Sequence, residues 1–166
     1  MNLVSYSTQW PHLYQQEKDK LLSLLDDDIV DIQHIGSTAV PHIQSKPIVD
    51  LMVMLKSIKV VPQYLAQLQE LGYEYSEKRS SNERYFFTKG DPVAVHLSLA
   101  DNTTSFWKRQ LLFRDYLLNN PKVAKEYEQL KVDLIKKYPS GKDEYSYGKS
   151  AFVENILKKV EKISTK

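Results

Sequence analysis

The stretch HIGSTAVPHIQSKPIVDLMVML, from His34 to Leu55, decides the fold of this chain. The residues just before it, Ile29–Ile35, are rich in β-branched side chains and predict a strand that ends at Gly36-Ser37-Thr38. Pro47–Leu55 is apolar on both of its alternating faces except at Asp50, which is typical of a central strand covered on both sides. The stretch therefore predicts two strands with a polar turn between them.

The turn Gly36-Ser37-Thr38 is a candidate phosphate cradle, and Pro41 predicts a short helix directly after it. Glycine lets the backbone approach an anion closely, the free N–H groups of a first helical turn point at it, and the hydroxyls add donors. The same three residues also suit an ordinary turn and helix N-cap. Both interpretations stay open on the local pattern.

Asp50 is the polar exception in an apolar strand. An unpaired carboxylate buried there would cost several kcal/mol. Asp50 must therefore lie at an open strand end, pair with a cation such as Lys46 or an arginine, or bind a metal. The spacing leaves a structural ion pair and a functional role equally open.

The remaining pattern predicts one domain in two parts. Residues 1–102 alternate helical and extended patterns, whereas 103–166 predict three helices, roughly 104–118, 121–138 and 143–162. Further segments of the first part are predicted as helices at 10–25 and 59–71 and as strands at 73–75, 84–89 and 93–99. At 166 residues the chain fits a single domain, 1–166, with an α/β core and a helical extension packed on it.

The charge and cysteine content exclude several classes of protein. Twenty-three basic residues against twenty-one acidic ones leave a net charge of +2, so no overall field favours nucleic acid or an anionic membrane. The absence of cysteine excludes disulfides, thiolate nucleophiles and cysteine-based zinc sites. The N-terminus lacks the pattern of a secretory signal, and the longest apolar run is too short to span a bilayer. A soluble, cytoplasmic protein is expected.

The motifs His34-Ile-Gly-Ser-Thr-Ala-Val-Pro41 and Lys46-Pro-Ile-Val-Asp50 resemble the GrpB (UPF0157) family, a branch of the nucleotidyltransferase superfamily. The resemblance covers nearly the whole chain. Its other motifs are Tyr6, Trp10-Pro11, Val95-His96-Leu97, Phe113-Arg114-Asp115-Tyr116-Leu117, Tyr127-x-x-Leu130-Lys131 and Tyr145-x-x-x-Lys149. It implies an α+β fold with a nucleotidyltransferase-like mixed β-sheet, flanked by helices and followed by a C-terminal helical segment.

The chain departs from what that resemblance implies about metal. Active nucleotidyltransferases use two or three carboxylates to hold two magnesium ions, which orient a nucleoside triphosphate. Here only Asp50 is a clear candidate, since Met52 stands two positions later on the same strand face and is no ligand for a hard cation. Ser98 replaces the second histidine of the family's His-x-His strand, and Gln33 replaces the usual acid before His34.

We predict Asp50 as the catalytic residue and as a metal ligand, with His96 as the second ligand and His34 as a supporting candidate. A mixed oxygen and nitrogen set suits manganese, zinc or iron better than magnesium, so a divalent metal (Mg, Mn or Zn) is expected without a fixed identity. Simpler roles stay open, because His96 can bond a neighbour and His34 can orient the Gly36-Ser37 turn.

Phosphate binding is predicted for the polar turn, Lys46 and Arg114. Arginine can clamp a phosphate with two hydrogen bonds, although Arg114 can also pair with the adjacent Asp115. Supporting roles are predicted for Lys131, Lys149 and Ser98.

These residues favour a nucleotidyltransferase-like protein that binds a nucleotide or another phosphate-bearing ligand. Metal-dependent transfer of a nucleotidyl group to an unknown acceptor is the activity that the resemblance implies. The alternatives are a catalytically altered module that only binds a nucleotide or small anion, and a hydrolase built on one metal held by Asp and His. The expected partner is a small molecule rather than nucleic acid or a membrane, and the oligomeric state is not indicated.

Overall fold

A computed structural model describes residues 2–164 of the chain. Its strands are β1 (Ile29–Ile35), β2 (Val49–Leu55), β3 (Tyr73–Tyr75), β4 (Tyr85–Lys89) and β5 (Val95–Ala100). Its α-helices are α1 (Gln9–Leu25), α2 (Val61–Glu70), α3 (Phe106–Asn119), α4 (Pro121–Lys137), α5 (Lys142–Gly148) and α6 (Ser150–Ser164). Within residues 2–164, none of the helices is both long enough and apolar enough to cross a membrane.

The strands form one mixed sheet in the order β1-β2-β5-β4-β3. The central pair, β2 and β5, is parallel, and the other three pairings are antiparallel. Helices cover the sheet, so the predicted α+β class with a mixed sheet flanked by helices is confirmed. The parallel pair places the starts of β2 and β5 side by side.

The two faces of the sheet have different neighbours. One face carries Leu51, Val53 and Leu97, which form the main core with residues of α1 and α2. Side chains alternate along a strand, so Met52 lies on the other face, where it packs with Phe106 and other residues of α3. The central strand is therefore covered on both sides, as the pattern of Pro47–Leu55 predicts.

A second apolar cluster joins the polar turn region to the C-terminal helices. Val40 and Ile43, from the connection between β1 and β2, pack with Leu117, Ala124 and Ile156. The helices after residue 103 therefore contact both the sheet and the segment that follows the Gly-Ser-Thr turn.

Two local predictions were wrong. The short helix expected after Gly36 is a single 3-10 turn, Ser37–Ala39, and Pro41 lies beyond it. Val40 is extended, because the ring of a following proline disfavours helical backbone in the residue before it. The helix expected over 143–162 is split into α5 and α6 near Gly148, where an added Cβ would run into Leu134.

Candidate functional site

A polar cavity of about 190 Å³ lies where the starts of β2 and β5 meet α4 and α5. The sheet and its loops contribute Ser37, Thr38, Lys46, Ile48, Asp50, Arg79 and His96, and the C-terminal part contributes Lys131, Tyr145, Ser146 and Lys149. The fold thus brings together most of the polar residues that the sequence indicates, from segments more than a hundred residues apart.

Asp50 and His96 form the hydrogen-bonded pair on the sheet side of this cavity. They are direct neighbours in the register of β2 and β5, and His96 Nδ1 lies 2.9 Å from Asp50 Oδ1. Arg79 Nη1 lies 3.3 Å from His96 Nε2. Because a guanidinium only donates hydrogen bonds, Nε2 accepts and Nδ1 carries the proton that it donates to Asp50. This chain of bonds connects Arg79 to Asp50 through the His96 ring.

Gly36 explains how closely the polar turn approaches Asp50. Its φ of 71° lies in the left-handed region that glycine adopts readily. A Cβ at this position would collide with Oδ2 of Asp50. One carboxylate oxygen of Asp50 therefore faces His96 and the other lies against Gly36.

His34 supports the turn from the opposite face of the sheet. It pairs with Leu51 in the register of β1 and β2, and its ring stacks on Tyr14 of α1 with 5.1 Å between centroids. His34 Nε2 donates to Thr38 Oγ1 at 3.0 Å, and Thr38 donates to the carbonyl of Ile48. Burial lowers the pKa of His34 to about 4. The prediction of His34 as a metal ligand beside Asp50 is not supported, because their side chains lie on opposite faces.

Lysines dominate the helical side of the cavity. Lys46 Nζ and Lys149 Nζ lie 3.7 and 4.4 Å from the ring centroid of Tyr145. Lys131 is almost fully buried and donates to the carbonyl of Gln44. Burial, and then the charge of Lys149, lower the pKa of Lys131 to about 7, and burial also lowers the pKa of Lys149. Among residues 2–164, no carboxylate forms an ion pair with Lys131.

Arg114 and Ser98 are not among the residues that line the cavity. Arg114 donates to Gln33 Oε1 at 2.7 Å and to the carbonyl of His34 at 2.9 Å, and it pairs with Asp115. Ser98 accepts a hydrogen bond from Arg84. The structure therefore assigns Arg114 to the support of β1 rather than to the predicted phosphate clamp, because its donors are already used by protein oxygens.

Sequence reasoning missed Arg79 and undervalued Tyr145. Arg79 lies in a polar loop, where it stacks 3.8 Å from the ring centroid of Phe86 and reaches His96. No local pattern distinguishes it from the other charges of that loop. Tyr145 is buried and also contacts two lysines of the cavity. The spacing Tyr145-x-x-x-Lys149 places both residues on one helical face, and this sequence pattern could have indicated their contact.

The donors present do not fit a metal held by the protein. Of the residues that the structure describes, Asp50 is the one with a carboxylate on the cavity wall, and Met52 is fully buried in the apolar cluster with α3. In the described part of the chain, no three His, Cys, Asp or Glu side chains are grouped so that they could hold a metal ion. Four cationic side chains surround this single carboxylate, which opposes the binding of a further cation.

Comparison with known proteins identifies the family. The sequence matches the GrpB protein family over residues 1–159. It is 35% identical over 161 residues to glutamate-rich protein GrpB of Alkalihalophilus pseudofirmus, covering 93% of this chain and 92% of that protein. It is 32% identical over 155 residues to UPF0157 protein YqkA of Bacillus subtilis, of which the matched region spans only 45%.

Solved structures share the fold. The crystal structure of conserved protein GrpB from Enterococcus faecalis superposes with a TM-score of 0.91 at 30% identity, covering 99% of this chain and 100% of that one. The poly(U) polymerase Cid1, in complex with its short product ApU, superposes with a TM-score of 0.57 at 15% identity, covering 87% of this chain and 48% of Cid1. The second likeness shows the nucleotidyltransferase fold alone, whereas the first and the sequence matches show that the chain belongs to the GrpB family.

Proposed function

We propose that this protein binds a phosphate-bearing small molecule in the cavity between its sheet and its C-terminal helices. One observation supports this most directly. Lys46, Arg79, Lys131 and Lys149 converge on a cavity wall whose one carboxylate, Asp50, is already hydrogen-bonded to His96. An excess of positive charge around a concave polar space attracts an anion.

The burial of Lys131, the one of these four cations that is almost fully buried, supports a function rather than a role in stability. Removing an ammonium group from water without a counter-ion costs several kcal/mol. Burial lowers the pKa of Lys131 and of Lys149 because of this cost. Groups with strongly shifted pKa values in a cavity are typical of functional sites.

The size of the cavity limits how much of a ligand it encloses. A volume of about 190 Å³ corresponds to roughly six water molecules at about 30 Å³ each. That space suits the phosphate groups of a ligand, while pockets that enclose a whole drug-sized molecule measure about 300–1,000 Å³. We expect the remainder of the ligand to extend out of the cavity.

Nucleotides are the first class of ligand to test, because the fold is shared with Cid1, a protein whose structure holds a nucleotide product. Metal-dependent nucleotidyl transfer is the second candidate function, and the fold favours it while Met52 opposes it. Release of pyrophosphate from nucleoside triphosphates in the presence of cell extract would support transfer. A cytoplasmic location, where nucleotides are abundant, stays a prediction.

Isothermal titration calorimetry tests the proposal. Inorganic phosphate, pyrophosphate and nucleoside triphosphates are titrated into the protein with and without divalent metal. Lys149→Met should weaken binding by about 10-fold, because it removes one charge-assisted contact. Lys158→Met, on the exposed side of α6, is the matched control and should bind like the parent protein. If none of these compounds binds under any condition, the proposed function is wrong.

A further inference from the structure

We propose that the cavity takes its ligand as a metal-free anion, and that lysine and arginine side chains neutralise the charge that magnesium ions neutralise in nucleotidyltransferases. This inference rests on the proposed function and specifies the ionic form of the ligand, an uncomplexed phosphate or diphosphate group. It follows from the state of Asp50 and from the arrangement of the cations around it.

Both oxygens of the Asp50 carboxylate already have protein neighbours. Oδ1 accepts the hydrogen bond from His96 at 2.9 Å, and Oδ2 lies so close to Gly36 that a Cβ there would collide with it. A magnesium ion needs six oxygen ligands at about 2.0–2.1 Å in near-octahedral geometry. A magnesium ion bound to Asp50 would have to share these oxygens with His96 and with the closely packed Gly36 turn.

Position 52, which would supply a second carboxylate, is occupied by a buried methionine. Met52 lies on the same face of β2 as Asp50 but is fully buried, in contact with the apolar residues of α3. A thioether is a poor ligand for a hard cation. The strand therefore offers one acid where active nucleotidyltransferases carry two.

The cations occupy the space in front of Asp50 instead. Lys149 is close enough for the charges of both Asp50 and Arg79 to influence its pKa, in opposite directions. Lys46 and Lys149 share the ring of Tyr145, and Lys131 is close enough to Lys149 for their charges to interact. These side chains are already arranged as a cluster of positive charge, so a ligand that brings its own magnesium would add further repulsion.

Asp50 then has a role opposite to that of a metal ligand. It holds His96, which in turn accepts the hydrogen bond from Arg79. Its negative charge faces the anion and weakens binding. Asp50→Asn keeps an oxygen that can accept the proton of His96 Nδ1, so the local bonds survive while the charge is lost. The variant should bind the anion more tightly, by roughly 3- to 30-fold for one like charge removed at this range.

Calorimetric titration with inorganic pyrophosphate tests the inference. The parent protein, Asp50→Asn and the control Lys158→Met are each titrated in buffer with EDTA and in buffer with millimolar Mg²⁺. We expect binding of the parent in EDTA, equal or weaker binding in Mg²⁺ because the metal lowers the ligand's charge, and tighter binding by Asp50→Asn in EDTA. Lys158→Met should match the parent in both buffers.

The outcomes separate this inference from the proposed function. Binding that is at least 10-fold tighter in Mg²⁺, or that weakens in Asp50→Asn, would overturn the metal-free site while leaving phosphate binding intact. No binding of pyrophosphate, phosphate or nucleoside triphosphate in either buffer would overturn both. Circular dichroism of Asp50→Asn, matched to that of the parent, verifies that a loss of binding does not reflect unfolding.

Discussion

Glu17 in α1 and Lys131 in α4 are both charged and both almost completely buried, with 2% and 1% of their surface exposed, yet their surroundings differ. Glu17 accepts hydrogen bonds of 2.7 Å from Lys20, 2.7 Å from Lys89 and 2.6 Å from the hydroxyl of Tyr73. Burial alone would raise the pKa of Glu17, but these bonds outweigh it and leave the pKa below its ordinary value. The charge of Glu17 is therefore fully compensated within the fold.

Lys131 is compensated less completely. It donates to the carbonyl of Gln44 and lies 5.1 Å from the ring centroid of Tyr127. The charge of Glu128 raises the pKa of Lys131, but burial and the like charge of Lys149 outweigh this effect. The negative charge of Glu17 is thus balanced by cations of the protein itself, whereas the positive charge of Lys131 would be balanced by an anionic ligand. Substitutions at the two sites should accordingly change different properties, Glu17 the stability of the fold and Lys131 the affinity for anions.

The largest effect is expected from removing both lysines of the helical side. The double variant Lys131→Met/Lys149→Met should weaken pyrophosphate binding by about 100-fold or more, since a hydrogen bond to a charged group contributes about 1.5–3 kcal/mol. Calorimetry measures the affinity, with Lys158→Met as the control. Unchanged affinity in the double variant would show that Lys131 is not a ligand-binding charge and would remove the distinction from Glu17.

Glu17→Gln should destabilise the protein by about 3 kcal/mol, because it removes the buried charge that the half-buried Lys89 and the more exposed Lys20 pair with. The measurement is the free energy of unfolding in urea. The folded-state pKa of Glu17 is lowered, so its contribution is present at neutral pH and is lost as the pH falls through the acidic range. The difference between Glu17→Gln and the parent should shrink accordingly near pH 3.

Pyrophosphate affinity provides the control for Glu17→Gln. It should not change, because Glu17 is not among the residues of the cavity. A variant that unfolds normally but loses affinity would mean that the Glu17 region also serves the site.

Lys131→Met should stabilise the protein while it weakens binding. Replacing a buried charge that its surroundings disfavour with an apolar side chain of similar length is expected to gain about 1–3 kcal/mol. The folded pKa of Lys131 is about 7, below its unfolded value, so between these two values the unfolded chain binds the extra proton and stability rises with pH. The gain from Lys131→Met should therefore be largest at or below pH 7 and disappear as the pH approaches 10.

Urea titrations at several pH values measure this gain, and Lys158→Met should show no such pH dependence. A loss of stability in Lys131→Met at pH 7 would indicate that the hydrogen bond to Gln44 outweighs the cost of burying the charge. Lys131 would then be a structural residue of the same kind as Glu17.

The sequence was sufficient to predict the sheet and its coverage, because those depend on local alternation. The apolar residues of Pro47–Leu55 fill both faces, and only Asp50 breaks the pattern, which is what the structure shows. The end of the turn was predicted less well. Pro41 suits the first turn of a helix, but a proline also favours extended backbone in the residue before it, and Val40 follows this second tendency.

The candidate site was predicted in part. Asp50, His96 and Lys131 line the cavity, because their motifs are carried on regular strands and helices. Arg114 and Arg79 show why the rest of the site was not predicted. Both are arginines in plausible positions, but their roles depend on tertiary contacts, with Gln33 for Arg114 and with His96 for Arg79. Such contacts join segments whose relative positions no local pattern encodes.

The substitution of Tyr145 is expected to have the smallest effect on anion binding, and this effect depends on the aromatic ring alone. Its ring lies 3.7 Å from Lys46 Nζ and 4.4 Å from Lys149 Nζ, so it holds two like charges near each other on the cavity wall. A cation over an aromatic ring is stabilised by about 0.5–2 kcal/mol, so Tyr145→Leu should weaken pyrophosphate binding by about 5-fold. Tyr145→Phe keeps the ring and should bind like the parent. Equal weakening in both variants would assign the effect to the hydroxyl, and no weakening in either would show that the lysines are positioned without the ring. Because Tyr73 lies under Lys89 beside the carboxylate of Glu17, where a counter-ion is already present, Tyr73→Phe should leave anion binding unchanged.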